Sequence, residues 1–309
     1  MKKILIAFCI STFSCYCAYA SDVGVTGAQF LKIGTGARPM GMGGAFTAVS
    51  DDGYASYWNP SGFARLEHQE ISSTFLNYFE DVKFGFVGYA RPIPRIGVIA
   101  GGVTYLTLDD IERRTGDTET ADGTFGADDV CTSISYAQRE PFKNILPDVD
   151  LGVTLKFISQ KLDDEIAQTG ALDCGALYHT PISNLDIGMS ISNIGPGQKF
   201  ISERDPLPLL MRLGGAYRLL NDTLLIASDL DHYLIDQKLY AGLGCEYWLL
   251  NMIGLRAGYR HGYHTDSLGS IVGLTGGVSL RAFNIQLDYA FVPFGELGDT
   301  HRFSLSAKF

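Results

Sequence analysis

VDLGVTLKF, residues 149–157, alternates without interruption. Val149, Leu151, Val153, Leu155 and Phe157 fall on one side; Asp150, Gly152, Thr154 and Lys156 fall on the other. Successive side chains of a strand point to opposite faces, so this period of two predicts a strand with one apolar face and one polar or glycine face. Other runs repeat it. Leu185, Ile187, Met189 and Ile191 alternate with Asp186, Gly188, Ser190 and Ser192. Ile253, Leu255, Ala257 and Tyr259 alternate with Gly254, Arg256, Gly258 and Arg260. Phe283, Ile285, Leu287, Tyr289 and Phe291 alternate with Asn284, Gln286, Asp288 and Ala290. From residue 69 onward the pattern predicts about fourteen strands of roughly nine to eleven residues. They run near 69–76, 83–91, 96–106, 130–139, 149–159, 170–180, 184–193, 210–219, 222–231, 238–248, 252–261, 269–281, 283–292 and 301–309.

The links between these runs alternate in length. TLDDIERRTGDTETADGTFGADD, SQKLDDEIAQTG and NIGPGQKFISERDPLPL are long, while RPIPRI, TPISN, LLND and LLN are short. Short turns at one rim and long loops at the other mark an up-and-down antiparallel barrel. Greek-key sandwiches have no reason to alternate so regularly. Three features place lipid rather than water outside. The strands have the length that a tilted spanning strand needs. The chain ends in HRFSLSAKF, with Phe303, Leu305, Ala307 and Phe309 on one face and Arg302, Ser304, Ser306 and Lys308 on the other. Tyr89, Tyr105, Tyr136, Tyr178, Tyr217, Tyr247, Trp248, Tyr259, Tyr289 and Phe291 gather near strand ends, where interfacial girdles sit. Lipid satisfies no bare backbone group, so the sheet must close. Asp150, Lys156, Asp186, Arg212, Arg256, Arg260, Asn284, Gln286 and Asp288 are then expected to face the lumen, because a charge facing lipid costs about 2–4 kcal/mol near the midplane.

Bulk properties agree with a single exported β domain. The chain has 309 residues, 46% of them hydrophobic and 19% charged, with 36 glycines. MKKILIAFCISTFSCYCAYA, residues 1–20, reads as a cleaved secretory signal peptide: Lys2 and Lys3, a short apolar run, then Ala18-Tyr19-Ala20. Its loss takes the net charge from −10 to −12, since two lysines and no acid leave with it. An acidic chain argues against nucleic acid as a partner. Cys131, Cys174 and Cys245 remain in strand-like runs without metal-ligand spacing and read as packing residues.

The segment GAQFLKIGTGARPMGMGGAFTAVSDDGYASYWNPSGFA (residues 27–64) and the close LDYAFVPFGELGDTHRFSLSAKF (287–309) together resemble the PorV/PorQ family of bacterial outer-membrane proteins, relatives of the FadL-like transporters. That resemblance implies an all-β, about 14-stranded transmembrane barrel in the outer membrane, with a short N-terminal helical hatch in the lumen. The chain then divides into signal peptide (1–20), hatch (21–68) and barrel (69–309). Gly41, Gly43, Gly44, Asp51, Asp52, Trp58, Asn59 and Pro60 become candidate hatch or ligand-path residues, and Phe309 the barrel-terminal aromatic.

The glycine-rich stretch does not read as a phosphate loop. Pro39 stands where a third fingerprint glycine belongs, no strand precedes it in a βαβ unit, and no Gly-Lys-Ser/Thr follows. Close packing is the better account: Gly41, Gly43 and Gly44 let a short helix, about Gly44 to Val49, approach the wall. Asp51-Asp52 is expected to cap short helices, and Asn59-Pro60 to turn the chain into the first strand. The doublets Asp109-Asp110, Asp128-Asp129 and Asp163-Asp164 read as solvated loop charge, and His261-x-x-His264 with Asp266 as surface residues rather than a metal site. No catalytic constellation stands out, so neither an enzyme nor a cofactor is expected.

The sequence leaves two principal functions and one wider alternative. The first is binding and passage of small hydrophobic compounds past the hatch. The second is a non-transporting partner of secretion components, as the PorV likeness implies. The wider alternative is a secreted soluble β protein. As partners we expect outer-membrane lipid and lipopolysaccharide, a hydrophobic small molecule, and the barrel-assembly machinery acting on the last strand.

Overall fold

The structure, a computed structural model, describes residues 25–78, 82–117, 119–200, 202–263, 271–295 and 298–309. The signal-peptide segment and the residues His264 and Asp266 lie outside them. Fourteen strands form one closed antiparallel barrel. They are β1 (Glu70–Asn77), β2 (Lys83–Ile93), β3 (Gly97–Arg113), β4 (Gly123–Gln138), β5 (Val149–Leu162), β6 (Glu165–His179) and β7 (Leu185–Ile194). After a small separate hairpin, β8 (Gln198–Phe200) and β9 (Glu203–Asp205), the wall resumes with β10 (Leu210–Leu219), β11 (Leu224–Tyr233) and β12 (Lys238–Leu249). β13 (Ile253–His261), β14 (Leu274–Ala282), β15 (Ile285–Pro293) and β16 (Asp299–Lys308) complete it. Closure is made by β1 on β16, from Glu70 opposite Lys308 to Asn77 opposite His301. Phe309 extends that seam, its amide donating to the Gln69 carbonyl and its carbonyl accepting from the Gln69 amide.

The alternation resolves as expected. Val153, Leu155 and Phe157 are exposed on the outer surface, while Asp150 and Thr154 are fully buried inside. On β16, Phe303 and Leu305 face out and Arg302, Ser304 and Ser306 face in. Tyr89, Tyr136, Tyr178, Tyr217 and Tyr247 are exposed near the short-turn ends of their strands, as an interfacial girdle requires, but Trp248 is buried and turns inward under the guanidiniums of Arg256 and Arg281.

Two expected loops are not loops. β3 and β4 continue as a ribbon to Arg113 and Gly123, past a register shift between Leu108 and Ile111. SQKLDDEIAQTG is the tip of the β5–β6 hairpin, turned by Asp163 in the left-handed region (φ 56°) and Asp164. Beyond the membrane both faces of a strand are wet. Polar residues then occupy both, and the period-two contrast disappears although the ladder continues.

Residues 25–66 fill the lumen. They form a 3₁₀ turn (Gln29–Lys32), helix α1 (Ala37–Gly41), a series of turns, helix α2 (Ala55–Trp58) and a second 3₁₀ segment (Pro60–Arg65) that leads into β1. The expected helix at Gly44 to Val49 therefore falls earlier, at α1. Gly43 (φ 65°) and Gly44 (φ 76°) end α1 rather than begin a helix, their amides closing on the Met40 and Pro39 carbonyls. Asp52 holds the start of α2 through the Tyr54 amide at 3.1 Å. Asn59 caps the second 3₁₀ segment by accepting from the Ser61 amide.

Candidate functional site

Arg38 is the anchor of the hatch. It projects from α1 to Glu246 on β12, with Nε and Nη2 donating at 2.8 and 2.9 Å. Glu246 also accepts from Arg256 of β13 at 2.6 Å, and Arg256 donates to Asp288 of β15 at 3.0 Å. On its hatch side Arg38 bonds Asp51 and Asp52. The chain of opposite charges runs from the hatch across three wall strands. Burial opposes ionisation at Asp51, but the Arg38 guanidinium overrides it and holds that carboxyl below its ordinary pKa. At Asp52 burial prevails over Arg38, and with the charges of Asp51 and Glu70 it pushes the carboxyl up to about 7.

Further polar contacts continue the attachment. Asp229 of β11 accepts from the Phe46 and Thr47 amides at 2.9 and 2.7 Å. Ser304 of β16 accepts from the Ala37 amide, and Thr275 from the Gly43 amide. Ser190 and Arg212 donate to the carbonyls of Trp58 and Tyr57, and Arg65 pairs with Asp186 of β7. The hatch sits so close to the wall that wall glycines are required. A Cβ on Gly258 would lie 2.1 Å from the Gly43 nitrogen, and one on Gly175 only 2.0 Å from Asn59 Oδ1. The sequence points to the hatch glycines; half of the close approach is supplied by the barrel.

Above the hatch lies a cavity of about 600 Å³. Its mouth is among the ends of strands that carry the long loops, at Tyr78, Val82, Lys238, Tyr263 and Phe294. Its floor is hatch: Phe30, Gly34, Met40, Tyr57 and Trp58. One wall is an arc of rings, Tyr78–Phe294–Tyr263–Tyr240–Tyr233, with successive centroids 5.5 to 5.9 Å apart. Trp58 is fixed by its own Nε1–H, which donates to the Thr35 carbonyl at 2.9 Å. A second, polar cavity of about 310 Å³ lies on the other side of the hatch, between Asp51, Arg65, Arg218 and Lys308.

The expected candidates separate by position. Trp58, Arg212 and Arg260 reach the large cavity. Gly41, Gly43, Gly44, Asn59 and Pro60 pack hatch against wall, and Arg256 and Asp288 belong to the charge chain. Asp150 meets the imidazole of His179 near the opposite rim at 2.9 Å, and Lys156 pairs with Asp173 of β6 at 2.6 Å. Among the described residues no group of acidic, His or Cys side chains could hold a metal ion. Arg38, Glu246, Asp229 and the aromatic arc escaped the sequence, and Arg302 was read only as a polar-face residue of the last strand. Glu246 was legible by parity alone, as the polar residue between Cys245 and Tyr247 on β12.

A closed fourteen-stranded barrel with a lipid-compatible exterior and a lumen filled from its own N-terminus defines an outer-membrane protein of the hatch-plugged class. The chain belongs to the PorV family: residues 18–235 match the family described as type IX secretion system protein PorV. No curated protein matches it. Among solved structures it is similar to the Ralstonia pickettii toluene transporter TbuX (TM-score 0.59, 14% identity, 89% of this chain and 98% of that one). The Pseudomonas putida toluene transporter TodX is similar too (TM-score 0.57, 12% identity, 89% and 96%), as is a Pseudomonas aeruginosa FadL homologue (TM-score 0.56, 12% identity, 89% and 98%). At these identities the likeness is one of fold.

Proposed function

We propose that the protein captures small hydrophobic compounds in the aromatic cavity at the long-loop end and passes them past the hatch. The observation that carries this is the cavity itself: about 600 Å³, ringed by aromatic side chains and floored by Trp58. Apolar concavities of this size with a few placed polar groups are where small ligands bind. Short turns face the periplasm in such barrels, so the cavity opens outward. The fold shared with two toluene transporters supports the reading. Only two tryptophans are present, and Trp58 alone lines the cavity. Naphthalene titrated into the purified barrel is expected to quench Trp58 emission, and Trp58→Phe to abolish the change. Passage is tested in liposomes, where a mobile hatch predicts uptake that changes when residues 22–60 are deleted. Unchanged uptake together with no quenching removes the proposal.

A second reading rests on the family match. A PorV-like chain is a partner of secretion components rather than a transporter, and its long-loop face is then a docking surface. Recovery from native membranes with large surface proteins and an empty lumen favours it. In both readings the barrel-assembly machinery acts on β16 with its terminal Phe309, and lipid and lipopolysaccharide surround the wall.

A further inference from the structure

The cavity carries a charge surplus that its hydrophobic lining does not explain. Lys32, Arg212, Lys238, Arg260 and Arg302 line it against three carboxylates, Asp129, Asp231 and Asp236. This occurs in a chain whose overall net charge is −10. Three of the cations are paired: Lys32 with Asp236 at 2.8 Å, and Arg212 and Arg260 with Asp231 at 3.7 and 2.7 Å. Lys238 stands at the half-exposed rim, where water solvates it.

Arg302 differs from all four. It is 1% exposed, on β16, and among the described residues no carboxylate pairs with it. Its Nη1 donates to the Gly34 carbonyl of the hatch at 2.6 Å, and its Nε has no partner. The titratable groups that face it are the phenols of Tyr78, Tyr263 and Tyr57. A guanidinium cannot shed its proton to escape burial, so an unpaired one is costly unless an anion is supplied. The same side chain borders the cavity, beneath the end of the aromatic arc formed by Tyr78 and Phe294.

We infer that the ligand is an aromatic carboxylate, its ring held in the arc and its acid group completing the charge of Arg302. This rests on the cavity's being a ligand site and adds the chemical class. With Nη1 taken by Gly34 and Nε enclosed, the guanidinium offers a carboxylate its charge and the Nη2 edge, and the arc offers an aromatic body ring edges and faces. A neutral hydrocarbon satisfies the second half only.

The test uses the purified full chain in detergent and a matched pair of probes, 2-naphthoate and 2-naphthamide, titrated calorimetrically at pH 8. The acid is expected to bind about tenfold or more tightly than the amide. Arg302→Met is expected to erase that preference, acid and amide then binding within about twofold of each other. Heat-modifiable mobility confirms that the variant barrel is closed. Should Arg302→Met not fold, Arg302→Gln, which keeps a donor for Gly34 but no charge, gives the same comparison. Equal binding of acid and amide to the unmodified protein overturns the inference and leaves the hydrophobic cavity standing. A preference that survives loss of the arginine charge also overturns it. Failure of both probes to bind overturns the cavity as a site and this inference with it.

Discussion

The hatch meets two unlike halves of the barrel. Toward β10–β16 and β1 it is joined by charge and by donated backbone amides: Arg38 to Glu246, Phe46 and Thr47 to Asp229, Ala37 to Ser304, Gly53 to Glu70. Toward β2–β5 it meets small and apolar side chains. Ala55, Phe63, Ala64 and Leu66 pack on Ala90, Val98, Ala100 and Ala137, and Phe30 and Leu31 on Cys131 and Ile158. Among the described residues no ion pair crosses that second half, and the Ala28 amide bond to Gln160 is the polar tie there. Directional contacts in a dry interior fix a position, and breaking them strands a charge. Apolar contact is non-directional and tolerates sliding. On the proposed passage, this asymmetry predicts a hatch hinged on the side of β10–β16 and β1, with the path opening along β2–β5.

The largest test of this asymmetry removes the centre of the charge chain. Glu246→Ala leaves Arg38 and Arg256 buried without their shared partner, and is expected to cost about 3–5 kcal/mol. Urea unfolding of the refolded barrel, followed by heat-modifiable mobility, measures it; a loss below about 1 kcal/mol breaks the comparison, since an ordinary surface pair is worth that much.

Next are the two adjacent acids, whose opposite environments predict opposite pH behaviour. The depressed carboxyl of Asp51 stabilises the folded state above the ordinary carboxylate range, and this is lost as pH falls through its folded pKa. Asp51→Asn is expected to cost about 1–2 kcal/mol at neutral pH. Asp52, raised to about 7, works in the other direction: its contribution is complete below about pH 4 and is lost as pH rises through 7. Asp52→Asn is therefore expected to be neutral in acid and stabilising above pH 7. Melting temperatures of both variants from pH 2 to 9 check the signs.

The smallest effect belongs to the apolar half. Ile158→Val, at a fully buried site behind the 3₁₀ turn, is expected to cost about 1 kcal/mol or less in equilibrium unfolding. It sharpens the comparison if hydrogen exchange then rises at Phe30 and Leu31 but not at Phe46 and Thr47. Equal acceleration on both sides contradicts a hinged hatch.

The membrane-spanning parts of the strands were legible because lipid meets only one of their faces, and Val149–Phe157 shows that contrast residue by residue. The wet ends of β3 through β6 were not, since Lys161, Asp163 and Asp164 carry no contrast to read. Inward-facing charges such as Arg256 and Asp288 followed from parity. Their partners did not. Arg38 and Glu246 lie 208 positions apart and meet only through barrel closure. The position of α1 was missed because Gly43 and Gly44 look alike as helix openers and helix enders until their φ angles are known. The aromatic arc draws its five rings from three separate loops and the ends of β11 and β12, so no local motif announces it.

The seam between β1 and β16 bears on biogenesis. Ser304 and Arg302, which hold the Ala37 amide and the Gly34 carbonyl, both lie on β16, the strand that closes the ring on β1. The hatch and the closing strand thus bond each other directly. In a ring closed without its hatch, Arg302 loses the Gly34 carbonyl and Ser304 the Ala37 amide, so the closing strand is better satisfied around a filled lumen than around an empty one.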